Sequence, residues 1–274
     1  MKETGPIGIF DSGYGGLTVF KEIAKVLPQY DYLYLGDNAR VPYGTRSFET
    51  VYRYTWECVQ HLFSMGCRLV ILACNTASAK ALRSIQQNNL TQLPDLRRVL
   101  GVIRPTAEVV GEYSKTRQVG ILGTQGTVTS QSYVIEIEKF FPDINVEQEA
   151  CPMWVPLVEN NEFDSPGADY FIRKNLDSLL QKSPDIDTLV LACTHYPLLI
   201  NKIKQFVSSD IKLISQGELV AESLSEYLQR HPEMEALCSR NGNVEFYTTE
   251  STESFNQKAE VFLGHKVFSK HLAI

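Results

Sequence analysis

Three things are scarce in this sequence: paired cysteines, basic charge and long apolar runs. Its six cysteines, at positions 58, 67, 74, 151, 193 and 238, form no C-x-x-C. Neither a redox dithiol nor the local ligand pairs of a structural zinc site is therefore encoded. Only Cys193 with His195 resembles half of such a site, and no metal is expected. Scattered thiols of this kind suit a reducing compartment, so disulfides are not expected either. Lysine and arginine number 26 against 32 acidic residues, giving a net charge of −6 and a pI near 5.5. Binding to a phosphate backbone draws on clustered basic residues and goes with a pI above about 9, so nucleic acid is not an expected partner. The longest apolar runs, such as LVILAC at 69–74, fall far short of the roughly 20 residues a membrane helix needs. The amino-terminal MKETGPIGIF has one lysine, breaks at Gly5-Pro6 and lacks a signal-peptide core. A soluble, cytoplasmic protein without membrane contact is expected.

What is present is a globular composition. The chain has 274 residues, 43% hydrophobic and 21% charged, enough for one large domain or two ordinary ones. Short apolar or β-branched runs predict strands at 6–10, 30–37, 68–74, 97–103, 118–124, 144–150, 187–193 and 211–215. Apolar residues at helical intervals predict helices at 17–28, 48–66, 78–87 and 133–141. This alternation reads as an α/β fold with mainly parallel sheets. Strands that are apolar throughout fit it, because such sheets are covered on both faces.

A repeat runs through the pattern. GIFDS at 8–12 resembles GILGT at 120–124, and VILACNT at 70–76 resembles LVLACTH at 189–195, so the offsets are 112 and 119 residues. Two matches in the same order point to two similar α/β halves of ordinary domain size, related by a pseudo-twofold axis. In open α/β sheets ligands bind beyond the carboxyl ends of the strands. Cys74 and Cys193 both fall there, one on each side of a shared cleft.

Either cysteine alone reads as packing, since free cysteine is among the most buried residue types. Paired at matching positions, the two suit the removal of a proton from one face of a carbon and its return to the other. One sulfur must be thiolate and the other thiol, which a free cysteine pKa near 8.5 allows when the local environment shifts it. Each sulfur needs a proton partner, and the candidates are Asp11 after the first strand and His195 two residues beyond Cys193. General acid–base help of this kind is worth about 10²–10⁴-fold.

The glycine-rich DSGYGG at 11–16, with Asp37 ending the second strand, raises the alternative of a dinucleotide site. The fingerprint G-x-G-x-x-G fails, because Thr18 stands where a third glycine is required. The glycines instead let backbone amides approach an anionic group at the start of helix 17–28, and a carboxylate serves as well as a phosphate. GTQGTVTS at 123–130 repeats this logic in the second half and equally describes a plain capped loop. RVPYG at 40–44 is either a proline turn or a stretch of cleft wall. Glu159 has the look of solvated surface.

Together these residues resemble the cofactor-independent aspartate/glutamate racemase family. The matching stretches are GIFDSGYGGLTV, GDNARVPYG, ACNTASA, GVIRPTA, GTQGTVTS, LVE and CTHYPLL, in family order between residues 8 and 199. The resemblance implies one domain of residues 1–97 plus 214–274, a second of residues 98–213, and an active site between them. It also implies interconversion of L- and D-glutamate without cofactor or metal, supplying the D form for peptidoglycan, in a chain that forms homodimers. By the same resemblance Cys74 takes the α-proton from D-glutamate and Cys193 from L-glutamate. Asp11 supports Cys74, while His195, aided by Glu159, supports Cys193, and Asp37 acts indirectly. Ser12, Asn75, Thr76 and Thr194, with the backbone of Pro42, Tyr43 and Gly44, hold the carboxylates and ammonium, with Thr124 and Thr127 as further contacts. The chain departs from the common family pattern at Ala192, Arg104 and Ser215-Gln216. Two rival readings remain: a Cys-His hydrolase using Cys193 and His195, and a noncatalytic amino-acid-binding protein.

Overall fold

The computed structural model describes residues 4–274. Among the described residues ten strands form two sheets: β1 (Ile7–Asp11), β2 (Tyr32–Gly36), β3 (Leu69–Leu72), β4 (Arg98–Gly101), β5 (Gln118–Gly123), β6 (Asn145–Ala150), β7 (Thr188–Ala192), β8 (Lys212–Ile214), β9 (Val244–Thr248) and β10 (Ser269–His271). The larger sheet has the order β10-β9-β2-β1-β3-β4 and the smaller β6-β5-β7-β8. Every pairing is parallel, so "mainly parallel" becomes wholly parallel. β2-β1-β3-β4 and β6-β5-β7-β8 share one order, with β1 matched to β5 and β3 to β7. The repeat seen in the sequence is thus a repeat of topology, with Gly8 and Gly120 on equivalent strands.

Strands β1, β2, β3 and β7 are buried at every position, because helices cover both sheet faces. Helix Phe48–Ser64 shows how one such cover is specified. The Ser47 side chain accepts from Thr50 N to cap its start, and Val51, Thr55, Cys58, Val59, Leu62 and Phe63 form its buried stripe.

Two strands and several helices escape the sequence reading. In β9 Val244 and Glu245 are exposed, Phe246 and Thr248 buried and Tyr247 half-buried, so no continuous apolar run marks it. It nevertheless pairs with β2 and adds Phe246 to an aromatic cluster with Phe20, Tyr34 and Phe255. β10 is a polar three-residue edge. The helix expected at 78–87 starts instead at Asn75 and breaks at Ala81 into a short turn and a wide π turn, Ile85–Asn89.

β4 belongs to the larger sheet and β8 to the smaller. After β8 the helix Gln216–Arg230 lies against helix Leu17–Val26. At that crossing a side chain on Gly217 would come within 2.9 Å of Glu22 and 3.2 Å of Thr18 O, so the close approach requires glycine. No helix among the described residues is long and apolar enough to cross a membrane.

Candidate active site

A cavity of about 430 Å³ lies where the carboxyl ends of both sets of strands face each other. The first half contributes Ser12 and Gly13 after β1, the segment 41–45 after β2, and Cys74, Asn75 and Thr76 after β3. The second contributes Thr124 and Gln125 after β5, Cys151 and Pro152 after β6 with Val155, Pro156, Glu159 and Asn160 beyond them, and Cys193, Thr194 and His195 after β7. None of these described lining residues is lysine or arginine, so an anion there is met by hydroxyls, amide N–H groups and the His195 imidazole.

The two sulfurs enter at equivalent places and in unlike surroundings. Cys74 caps helix Asn75–Lys80, its Sγ accepting from Ala77 N at 3.4 Å, and lies 3.3 Å from Ser12 Oγ. Burial pushes its pKa up to about 12, and the nearby Asp11 carboxylate adds to the effect. Asp11 ends β1 and lies beneath the cavity surface, 1% exposed. One carboxylate oxygen accepts from Gly13 N at 2.9 Å and the other has no protein partner. Burial raises the Asp11 pKa against the lowering pull of His195. A buried carboxyl with a free oxygen and a raised pKa suits the role of proton acceptor.

On the opposite side Cys193 Sγ lies 3.8 Å from His195 Nδ1, and His195 Nε2 lies 3.0 Å from Glu159 Oε1. Burial pulls the imidazole pKa down, but the Cys193 sulfur and the Glu159 carboxylate outweigh it and push it up to about 10. Glu159 shifts reciprocally: burial raises its pKa, and His195 more than reverses that. His195 and Glu159 therefore form an ion pair at neutral pH. Phe262 meets the imidazole edge-on, with ring centroids 5.6 Å apart. The first half reaches across to this side, since the Thr18 hydroxyl donates to Thr194 O at 2.9 Å. Gly15 packs so closely on Thr194 and His195 that any side chain there would collide with both.

Not every residue singled out in the sequence reaches the cavity. Ser12, Pro42, Tyr43, Gly44, Cys74, Asn75, Thr76, Thr124, Glu159, Cys193, Thr194 and His195 line it; Asp11, Asp37 and Thr127 do not. The fully buried Asp37 accepts from Arg40 Nε at 2.7 Å, from Thr249 Oγ1 at 2.9 Å and from the Tyr43 hydroxyl, so it braces the cavity wall from behind. Thr127 bonds Thr124 Oγ1 at 3.1 Å, and Thr124 in turn lies 2.9 Å from Thr76 Oγ1, a hydroxyl chain joining the halves. Cys151 also lines the cavity; it follows β6 at a strand's carboxyl end, where the same positional rule finds the other two thiols.

Comparison with known proteins agrees with this geometry. The sequence profile of Asp/Glu/hydantoin racemases matches residues 7–224. A glutamate racemase of Geobacter metallireducens is 42% identical over 261 residues, spanning 95% of this chain and 93% of the relative; one of Streptococcus gordonii is 39% identical over 97% and 98%. Among solved structures, a glutamate racemase isoform from Bacillus anthracis superposes with a TM-score of 0.89 at 36% identity, covering 100% and 99% of the two chains. The Francisella tularensis glutamate racemase in complex with D-glutamate gives 0.86 at 30% identity, covering 100% and 98%. With two matched halves, two thiols at equivalent strand ends and a profile match over most of its length, this chain belongs to the Asp/Glu/hydantoin racemase family.

Proposed function

We propose that the chain is a glutamate racemase that moves the α-proton between two cysteines. The observation that carries this reading is the presence of Cys74 and Cys193 in one cavity, each next to a different acid–base group. With L-glutamate bound, the Cys193 thiolate takes the α-hydrogen as a proton, and the electron pair left on carbon delocalises into the α-carboxylate. The Cys74 thiol then donates its proton to the opposite face, giving D-glutamate and leaving a Cys193 thiol and a Cys74 thiolate. D-glutamate runs the same steps backwards. Between turnovers His195 with Glu159 serves Cys193, and Asp11 serves Cys74. Hydroxyls of Ser12, Thr76, Thr124 and Thr194 and the Asn75 amide supply donors for carboxylates in a lining without lysine or arginine.

The scheme calls on no cofactor. We assign a first unit of residues 1–97 plus 214–274 and a second of residues 98–213, with β4 going to the first by its pairing with β3 and Ile214 to the second by its pairing with Val190. We assign D-glutamate supply for peptidoglycan, in the cytoplasm and as a homodimer, as the biological setting. In D₂O the enzyme is expected to exchange the α-hydrogen of both glutamate enantiomers, while Cys74→Ser and Cys193→Ser each abolish racemisation followed by circular dichroism. Full turnover in either variant ends the two-cysteine account. A stable acyl adduct on Cys193 formed from an ester substrate favours the hydrolase reading instead.

A further inference from the structure

Gln216 opens the helix Gln216–Arg230 at the point where the chain leaves the smaller sheet, and it is 3% exposed. Its Nε2 lies 3.0 Å from Val102 O, 3.3 Å from Thr106 Oγ1 and 2.6 Å from the Tyr133 hydroxyl. Its Oε1 lies 2.6 Å from Asn75 Nδ2. The Tyr133 hydroxyl in turn lies 2.6 Å from Asn75 Oδ1. Asn75, Gln216 and Tyr133 thus close a ring of hydrogen bonds, with Asn75 2% and Tyr133 0% exposed.

The ring has only one workable polarity. A main-chain carbonyl accepts and never donates, so the nitrogen of Gln216 faces Val102 and its oxygen faces Asn75. Asn75 must then offer its nitrogen to Gln216 and its oxygen to Tyr133, whose hydroxyl donates. In this arrangement Tyr133 engages the Asn75 oxygen, and one of the two Nδ2 hydrogens remains unassigned. Asn75 lines the cavity one residue after Cys74.

We propose that Gln216 is a positioning residue. It holds the Asn75 amide so that an N–H, and not the carbonyl oxygen, meets a substrate carboxylate, with Tyr133 as the second brace. The inference rests on the glutamate racemase reading. A flipped Asn75 would set an oxygen against an anion, and no lysine or arginine of the described lining is there to compensate.

The test is racemisation of L-glutamate by wild type, Gln216→Met, Tyr133→Phe, Asn75→Ala and the double variant Asn75→Ala/Gln216→Met. Because the carboxylate contact is made already in the ground state, Gln216→Met is expected to raise KM about tenfold or more, with any loss in kcat added to it. In the Asn75→Ala background the same replacement is expected to raise KM no further, since two residues acting as one do not add. Tyr133→Phe keeps the ring volume and is expected to raise KM in the same way, so it carries the test should Gln216→Met fail to fold. Effects of Gln216→Met and Asn75→Ala that multiply, or wild-type KM in both ring variants, overturn the inference. A wild-type chain that does not racemise glutamate overturns this inference and the functional reading together, whereas an active wild type with unaffected variants overturns this inference alone.

Discussion

Glu159→Gln tests the charge state of His195 most directly. The replacement keeps the shape of the side chain and removes its charge, 3.0 Å from His195 Nε2 in a pair whose side chains are 18% and 7% exposed. A hydrogen bond between charged groups is worth about 1.5–3 kcal/mol, and one pKa unit corresponds to about 1.36 kcal/mol. The imidazole pKa, about 10 in the wild type, should therefore drop by about one to two units, with burial still pulling it down and Cys193 alone holding it up. In the proposed scheme the form that takes up L-glutamate has a proton on His195, because that charge balances the Cys193 thiolate. Raising the pH through the lowered pKa removes that proton, so activity is lost on the alkaline side. At pH 6.5 the variant should stay within about threefold of wild type, and at pH 9 it should fall about twofold to tenfold further behind. L- and D-glutamate have equal free energies, so kcat/KM must be equal in the two directions at each pH and both alkaline limbs must move together. Circular dichroism gives the rates, and ¹⁵N NMR of the imidazoles gives the titration, with His195→Gln identifying the resonance. An unmoved alkaline limb, or a loss of equal size at every pH, refutes the ion-pair account.

Two further outcomes follow from the same contacts. Gly15→Ala would put a methyl group against Thr194 and within 2.5 Å of His195 Nδ1, so it should cost about 1–3 kcal/mol of stability by overpacking and about tenfold or more in kcat by displacing the ring from Cys193. Thermal melting with racemisation rates checks it, and a wild-type kcat would show that the approach of Gly15 to His195 is not needed. Cys74, with its pKa pushed up to about 12 by burial and Asp11, should react through a small thiolate fraction. In Cys193→Ser its alkylation by iodoacetamide, located by peptide mass spectrometry, should rise about tenfold per pH unit between about pH 7 and 10. A plateau below about pH 9 would contradict the buried-thiol description.

The strands that build the site were legible because β1, β2, β3 and β7 are buried on both faces and so appear as uninterrupted apolar runs. β9 was not, because two of its five residues are exposed and a third is half-buried, and its place beside β2 depends on packing of Phe246 with Phe20 and Tyr34, far away in sequence. The cysteine pair was legible through the repeat. Asp37 reads as a ligand-binding acid because strand-end position is a local property, whereas its place behind the cavity wall depends also on Thr249, which only tertiary contact brings to it.

The sequence by itself determined that two thiols end equivalent apolar strands and that polar, glycine-rich turns follow them, since strand period and duplication are written in neighbouring residues. Only the tertiary structure decided what surrounds each thiol. Burial and Asp11 push the Cys74 pKa up, while Cys193 and Glu159, the latter 36 residues from His195 along the chain, together outweigh the effect of burial on the imidazole. Burial and through-space charge act between residues that folding brings together, and no local pattern encodes their sum.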